Sequence, residues 1–506
     1  MEAVASGRVS VEGQRPPETD SRPPVTRPNI LVVLADQLRR SALGCYGDLN
    51  VRTPHIDRLA CNGVRFANAC VTYPVCVPTR FSFLTGEYAH TRLVPAIGWR
   101  MSPAERTIAH ELTDAGYQTA LFGKWHLHGE FGISAKAGHT RIPRGYRGGF
   151  EHWRAFEFRN DPFDTHVFVD DEPSPRKIDG YQTDGLFDLA MEFMGGERDA
   201  TRPFFAVLSV EPPHSPRVAP PAYMDAWRDR ALRLPPNVLS DNEAEVDGFM
   251  GRTNEWVAPP DSNERLLAHA RAYYAMVENL DDNVGRLLHF LEHSGLSSTT
   301  AVLFCADHGD LLGAHGLAAD GKQFPYEESV GTPLIASFPA GGVAGGRVLG
   351  HPTCTEDWYP TIRGLAGLPQ DANKPGVDLT PLMTGAVDRL SRAGVLLEFV
   401  AEHRPRLPFY GEGWRGLRTE RFKYTVRGGP AGGEPWQLFN LADDPYERIN
   451  LVDRADYRGR ASELHAQLRQ ILVASDDAFV LKPAFGQDGL NLWPVNTPER
   501  ADLGWG

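Results

Sequence analysis

Asn29-Ile30-Leu31-Val32-Val33-Leu34-Ala35-Asp36 is an unbroken apolar run, rich in β-branched residues, that ends in a carboxylate. A run of this kind reads as a strand covered on both faces, as in a parallel sheet. The same design returns as Thr300-Ala301-Val302-Leu303-Phe304-Cys305-Ala306-Asp307. Between them, Gly116 to Phe122 reads as a strand leading into Gly123-Lys124-Trp125-His126, and Pro203 to Val210 as a strand leading into Glu211-Pro212-Pro213-His214. Helical patterns separate these strands: Pro54 onward to a short extended piece near Ala69, then Thr107 to Ala115, then Ser262 to Ser294. In the last, Leu266, Ala270, Tyr273, Val277, Leu280, Val284, Leu287 and Leu291 make one apolar stripe. Asp261 and Glu264 resemble a capping box there, and Gly295 is a natural stop. Strands alternating with helices predict an α/β fold with a large, mainly parallel sheet flanked by helices. Ligands of such sheets bind beyond the carboxyl ends of the strands, where Asp36 and Asp307 fall.

After about residue 375 the pattern changes. Gly416 to Thr419, Arg421 to Val426 and Trp436 to Asn440 alternate apolar and polar residues, as half-covered antiparallel strands do, and a helix follows from about Ala455 to Ala474. The expected organisation is a disordered leader over residues 1–27, a catalytic domain over 28–375, and a smaller C-terminal α+β subdomain with an antiparallel sheet, and a tail, over 376–506. Two polar, proline-rich stretches, 131–180 and 212–262, read as long loops shaping the mouth of the site.

The chain has 506 residues, 42% of them hydrophobic and 23% charged, ordinary for a globular protein. Its net charge of −13 argues against a nucleic-acid footprint. No apolar run is long enough for a membrane span, and Met1 to Arg27 lacks the apolar stretch of an export signal, so the expectation is a cytoplasmic protein with reduced cysteines.

Several segments carry chemistry. Asp36 and Asp307, with Gln37 and His308 beside them, form a mostly oxygen donor set suited to Ca²⁺, Mg²⁺ or Mn²⁺; taken singly, each Asp is a candidate helix cap. Cys76-Val77-Pro78-Thr79-Arg80 places a cysteine just before a helix, near its positive end, with Arg80 one turn on. The plainer reading is a buried cysteine with Pro78 at the first helical position. Lys124 and His126, two apart on an extended piece, point the same way. Prolines on both sides hold His214, and Lys322 follows Asp320-Gly321. Arg141, Arg144, Arg147, His152, Trp153, Arg154 and Trp256 are basic and aromatic candidates for substrate contact in the long loops.

Cys76-x-Pro78-x-Arg80 continuing into Phe81-Ser82-Phe83-Leu84-Thr85-Gly86 resembles the signature of the type I, formylglycine-dependent sulfatases of the alkaline phosphatase superfamily. Leu43-Gly44-Cys45-Tyr46-Gly47, Glu328-Ser329-Val330-Gly331-Thr332-Pro333-Leu334-Ile335 and Asp443-Asp444-Pro445-Tyr446-Glu447-Arg448-Ile449-Asn450-Leu451 extend the likeness in the family's order. The resemblance implies that Cys76 is oxidised to Cα-formylglycine by a formylglycine-generating enzyme. It implies that Asp36, Gln37, Asp307, His308 and residue 76 bind the metal, preferably Ca²⁺, with Mn²⁺ or Mg²⁺ as alternatives. Arg80 and Lys124 would steady the hydrated aldehyde, His126 would support it, and His214 and Lys322 would bind sulfate and neutralise the leaving oxygen. The implied substrate is an aryl sulfate or a sulfated carbohydrate or small molecule. Many family members carry Asp where this chain has Gln37, and Asn where it has His308; the Gln and His pairing also occurs in phosphonate monoester hydrolase-like relatives. Phosphonate or phosphodiester hydrolysis therefore stands as the second reading, and a non-catalytic protein with an unoxidised Cys76 as the third.

Overall fold

The computed structural model describes residues 27–479 apart from 93, 95–98, 130–139, 159–160, 239–262, 318, 401–412 and 430–431. Trp256 and Asp261 lie outside the described residues, as does most of the far end of the second long loop.

The main sheet is built from β1 (Asn29–Asp36), β2 (Val64–Phe66), β3 (Gln118–Lys124), β4 (His152–Phe156), β5 (His166–Val169), β6 (Arg176–Lys177), β7 (Phe204–Pro213), β8 (Thr300–Ala306), β9 (Leu334–Ser337) and β10 (Arg347–Leu349). Their order across the sheet is β10-β2-β9-β8-β1-β7-β3-β4-β5-β6. The central five, β8-β1-β7-β3-β4, are parallel throughout, and antiparallel pairings are confined to the flanks. As expected for a sheet covered on both faces, β1 divides its side chains between two cores. Ile30, Val32 and Leu34 face one, and Leu31, Val33 and Ala35 the other. The helix Asn263–His293 covers the second face with Ala270, Tyr273, Val277, Leu280, Val284, Leu287 and Leu291, the stripe read from the sequence. The helices Cys76–Thr85, Ile108–Asp114 and Trp358–Leu365 cover the first.

A separate antiparallel sheet, β11 (Gly394–Phe399), β12 (Gly413–Thr419), β13 (Phe422–Gly429) and β14 (Gly432–Asn440), lies in the C-terminal region. One face packs on the helix Arg458–Ala474 through Leu417, Tyr424, Leu438, Leu464 and Leu468. The other sends Leu397, Phe399, Trp414, Trp436 and Phe439 into the first core of the main sheet. Buried charge stitches the same junction. Glu327 receives Arg418 at 3.1 Å and Lys423 at 3.3 Å, and Arg40 also pairs with it. Burial alone would protonate Glu327, but these three cations outweigh it and hold the carboxyl well below its ordinary range.

Three expectations need correction. The stretch 131–180 is not one loop: past residue 139 it supplies β4, β5 and β6, short pieces that lack visible periodicity. The stretch 212–262 includes the short helix Pro221–Trp227. The helix carrying the cysteine begins at Cys76 itself, with Val75 extended before it, so Pro78 sits in the third position of the first turn. Proline is tolerated there because no backbone N–H is needed that early. All six cysteines are free thiols. Among the described residues no helix is long and apolar enough to cross a membrane.

Gly123, one residue before the end of β3, has φ +96° and packs so closely on β7 that an added Cβ would lie 2.0 Å from the Ser209 carbonyl oxygen. Gly123→Ala is expected to lower stability by about 2 kcal/mol or more and to reduce the melting temperature in a thermal scan. An unchanged melting temperature would mean that this strand junction is looser than described.

Candidate active site

Two carboxylates meet because β1 and β8 are neighbours in register. Ala35 pairs with Ala306, and the Asp307 N–H donates to the Ala35 carbonyl at 3.1 Å. Asp36 and Asp307 therefore leave the sheet at the same level, both without solvent exposure. Gln37 turns at once into left-handed backbone, φ 65°. That conformation is held from two sides, by its N–H donating to Asp307 Oδ1 at 3.1 Å and by Tyr273 Oη donating to its carbonyl at 2.8 Å.

Unpaired carboxylates at this depth would be costly. Arg80 answers both: its Nη2 lies 3.2 Å from Asp36 Oδ2 and 3.0 Å from Asp307 Oδ2, and its Nε donates to Asp307 Oδ2 at 3.1 Å. Its Nη1 donates to Ser209 Oγ at 2.8 Å and to the Lys124 carbonyl at 3.1 Å. Lys124 Nζ sits 2.6 Å from Asp36 Oδ2. Burial pushes Asp36 toward the neutral form, but Lys124, His214, Arg80 and His308 outweigh it and hold the carboxyl well below its usual range.

Cys76 opens its helix with Sγ 3.0 Å from His308 Nε2, 3.4 Å from Lys322 Nζ and 3.7 Å from Asp36 Oδ1. Burial and Asp36 favour its thiol, yet Lys322, His308 and Lys124 prevail and lower its pKa below the ordinary value. Burial disfavours protonated His308, while Asp307 reverses that and raises its pKa. His308 Nδ1 faces the Gly309 carbonyl at 3.0 Å, so that nitrogen carries the proton in the neutral ring and Nε2 presents a lone pair to the centre. Lys322 Nζ reaches Gln37 Oε1 at 3.3 Å, His308 Nε2 at 3.4 Å and His214 Nε2 at 3.2 Å. Burial, then Lys322, lowers the His214 pKa well below its ordinary value.

The structure thus brings Asp36, Gln37, Cys76, Arg80, Lys124, His214, Asp307, His308 and Lys322 together. His126 arrives differently from the expectation. It is past the end of β3 at φ 60°, not on a strand with Lys124, and its ring lies 4.5 Å from that of Phe158. Both its nitrogens are buried without a partner among the described residues, and burial, with Lys124 and Arg80, keeps the ring neutral.

The substrate-contact candidates are not gathered here. His152, Trp153 and Arg154 pair with Ala120, Leu121 and Phe122, well before the carboxyl end of β3. Trp153 is core, Arg147 stacks on it and pairs with Asp171, and Arg154 pairs with Glu197. Arg141 and Arg144 are tied to Asp171 at the surface. Sequence reading missed Ser209, Asp310 and Arg217. Ser209 was signalled by a lone hydroxyl within the apolar run Phe204–Val210; Arg217 had no signal.

Asp36, Cys76, Asp307 and His308 offer ligand atoms that all lie within 4.8 Å of one another. Two carboxylate oxygens, an imidazole nitrogen held in the right tautomer by a carbonyl, and the residue-76 side chain form a donor set that fits a divalent cation. Arg80, Lys124, Lys322 and His214 surround it with the donors an oxyanion needs.

The chain that builds this centre matches known proteins along most of its length. Residues 28–368 match the sulfatase family model, and residues 313–474 match the model of the C-terminal part of N-sulphoglucosamine sulphohydrolase. The ulvan-active sulfatase of Formosa agariphila is 31% identical over 459 residues, 90% of this chain and 83% of that one. The chain belongs to the sulfatase family, and it is a sulfuric ester hydrolase. A solved structure in complex with its substrate, D-glucosamine-2-N,6-O-disulfate, superposes with a TM-score of 0.76 at 23% identity, covering 89% of this chain and 99% of that one. The phosphonate monoester hydrolase of Agrobacterium radiobacter superposes at 0.71 with 24% identity, covering 92% and 99%. These two likenesses speak to the fold, which hosts both chemistries.

In enzyme whose residue 76 is still cysteine, the lowered thiol pKa is expected as a thiolate ultraviolet-absorbance step below the pH of an ordinary thiol, missing in Cys76→Ala. A step in the ordinary thiol range would contradict the electrostatics described.

Proposed function

We propose that this enzyme cleaves a sulfate monoester, an aryl sulfate or a sulfated saccharide, through a formylglycine made from Cys76 and a divalent cation held by Asp36, Gln37, Asp307 and His308. The observation that carries the reading is the buried cluster in which residue 76 stands within ligand distance of two carboxylates and an imidazole, while four cationic or imidazole groups face the same point. The cation, preferably Ca²⁺, would neutralise oxygens of the nucleophile and of the sulfate. The oxidised residue 76 would supply a geminal diol, one hydroxyl attacking sulfur as the alcohol departs and the other later expelling sulfate.

The chain's own residues do the rest. Arg80 fixes both carboxylates and presents the positive side of its guanidinium near residue 76. Lys124, already on Asp36, holds the acidic oxygens of the nucleophile. His126, neutral and with ring nitrogens unpaired among the described residues, can take the proton released when sulfate is expelled. Lys322 and His214 stand as a touching pair where charge grows on the bridging oxygen, and a Lys Nζ–His Nε2 contact of 3.2 Å lets the imidazole receive a proton and hand it to the leaving alcohol. The ulvan-active relative, 31% identical, supports a sulfated saccharide as the natural substrate class.

The test is a paired assay. The enzyme is co-produced with a formylglycine-generating enzyme and supplied with Ca²⁺ or Mn²⁺, and an aryl sulfate is compared with an aryl phosphonate by kcat/KM. Sulfate hydrolysis is expected to dominate and to fall more than about a thousandfold in Cys76→Ala, since loss of a nucleophile leaves only binding and electrostatic catalysis. A preference for the phosphonate, or activity indifferent to Cys76, would overturn the reading. Chelation is expected to abolish turnover and lower the melting temperature, and restored cation at about 100 times its Kd to return about 2.7 kcal/mol of stability. A chelated enzyme that keeps full activity would exclude the cation.

A further inference from the structure

Arg217 belongs to none of the groups that face residue 76, yet its side chain is only 4% exposed and its Nη2 holds three acceptors: Asp310 Oδ2, the Ala319 carbonyl and, at 2.8 Å, Asp320 Oδ1. Asp310 in turn has two oxygens with separate duties. Oδ1 accepts the Leu312 N–H at 2.7 Å, and Oδ2 accepts Gln37 Nε2 at 2.7 Å. The amide of Gln37 has two ends, and only one of them can serve a cation. With Nε2 committed to Asp310, Oε1 is the end that faces the centre, where Lys322 Nζ lies 3.3 Å away.

We propose that Arg217 and Asp310 are positioning residues. Asp310 sets the amide of Gln37 with its oxygen toward the cation site, and Arg217 locks Asp310 while tying the His214 loop, three residues upstream, to the Lys322 loop through Ala319 and Asp320. The inference rests on the cation reading given under Proposed function and adds what makes an amide serviceable at position 37. A carboxylate there would present oxygens in either orientation; a glutamine needs a partner that removes the choice. Asp310 is that partner, and its own orientation is fixed because Leu312 N–H occupies Oδ1.

Asp310→Asn is the decisive variant because it keeps the shape. Leu312 N–H still requires an oxygen, so the new NH₂ takes the place of Oδ2 and meets the NH₂ of Gln37 donor to donor. Gln37 then turns its amide over and offers nitrogen to the cation. Full-length enzyme, co-produced with a formylglycine-generating enzyme and stripped with chelator, is titrated with Ca²⁺ and with Mn²⁺ by calorimetry, beside steady-state assays on an aryl sulfate. Asp310→Asn and Arg217→Met are each expected to weaken cation binding by about 10- to 100-fold, the usual effect of partners that orient metal ligands, with Arg217→Lys recovering part of the loss. At saturating cation kcat should largely return in Asp310→Asn. In Arg217→Met a kcat deficit should persist, because His214 and Lys322 are loosened as well. A lowered melting temperature with unchanged cation affinity in both variants makes the pair a fold brace and overturns the proposal. Should Arg217→Met fail to fold, Asp310→Asn decides alone. A wild-type enzyme that binds neither cation overturns the cation reading and this inference together, whereas wild type and variants that bind alike overturn only the inference.

Discussion

Two carboxylates buried side by side are the constraint from which the site follows. Adjacent parallel strands in register deliver Asp36 and Asp307 to the same level with no solvent to share their charge. Removing one partner from a buried ion pair typically costs about 3–5 kcal/mol, so each neighbouring element is fixed by the charge it brings. Arg80 spans both acids, which holds the first turn of the helix Cys76–Thr85 against the strand ends and puts residue 76 where it stands. Lys124 answers Asp36 from the next-but-one strand, and Ser209, on the strand between them, joins Arg80 to the Lys124 carbonyl.

The backbone yields where this centre requires it. Gln37, directly after β1, and His126, two residues past the end of β3, take left-handed conformations. Gly309 lies so close to the Glu328 carbonyl that a Cβ would come within 1.9 Å of it, and that approach seats the segment carrying Lys322 and Glu328 beside His308. The antiparallel sheet supports the same segment from outside: Trp414 Nε1 donates to the Gln323 carbonyl at 2.9 Å, next to Lys322, and Arg418 and Lys423 neutralise Glu327. The C-terminal strands thus bear on catalysis by holding a loop they do not themselves belong to.

The parts of this arrangement that local chemistry dictates were legible in the sequence. Two-faced apolar strands, the three-four stripe of the long helix and the alternating C-terminal strands each carry their own period, and strand-end acids in an α/β pattern point to one edge of the sheet. Nine of the ten site residues named from the motifs converge in direct contacts, and His126 stands beside them. What escaped was set by tertiary geometry. Trp153 and Arg154 have the composition of a binding loop but fall in the body of β4, because a five-residue strand shows too little periodicity to reveal itself. Arg217 is one arginine among many in the sequence; only the fold brings it to Asp310 and Asp320. The pairing that orients Gln37 spans the distance from β1 to the loop after β8, and no spacing along the chain encodes it.

On the proposed reading one divalent cation sits among Asp36, Gln37, Asp307, His308 and residue 76 and adds positive charge for the anionic nucleophile and sulfate. The most direct measurement is anomalous diffraction from crystals of the formylglycine-bearing enzyme grown with Mn²⁺ in place of Ca²⁺. The expected result is a single strong anomalous peak bounded by Asp36, Gln37, Asp307, His308 and residue 76, with the amide oxygen of Gln37 turned toward it. A centre without a peak, or a peak only at another cluster such as His315, Glu328 and Glu447, would contradict it.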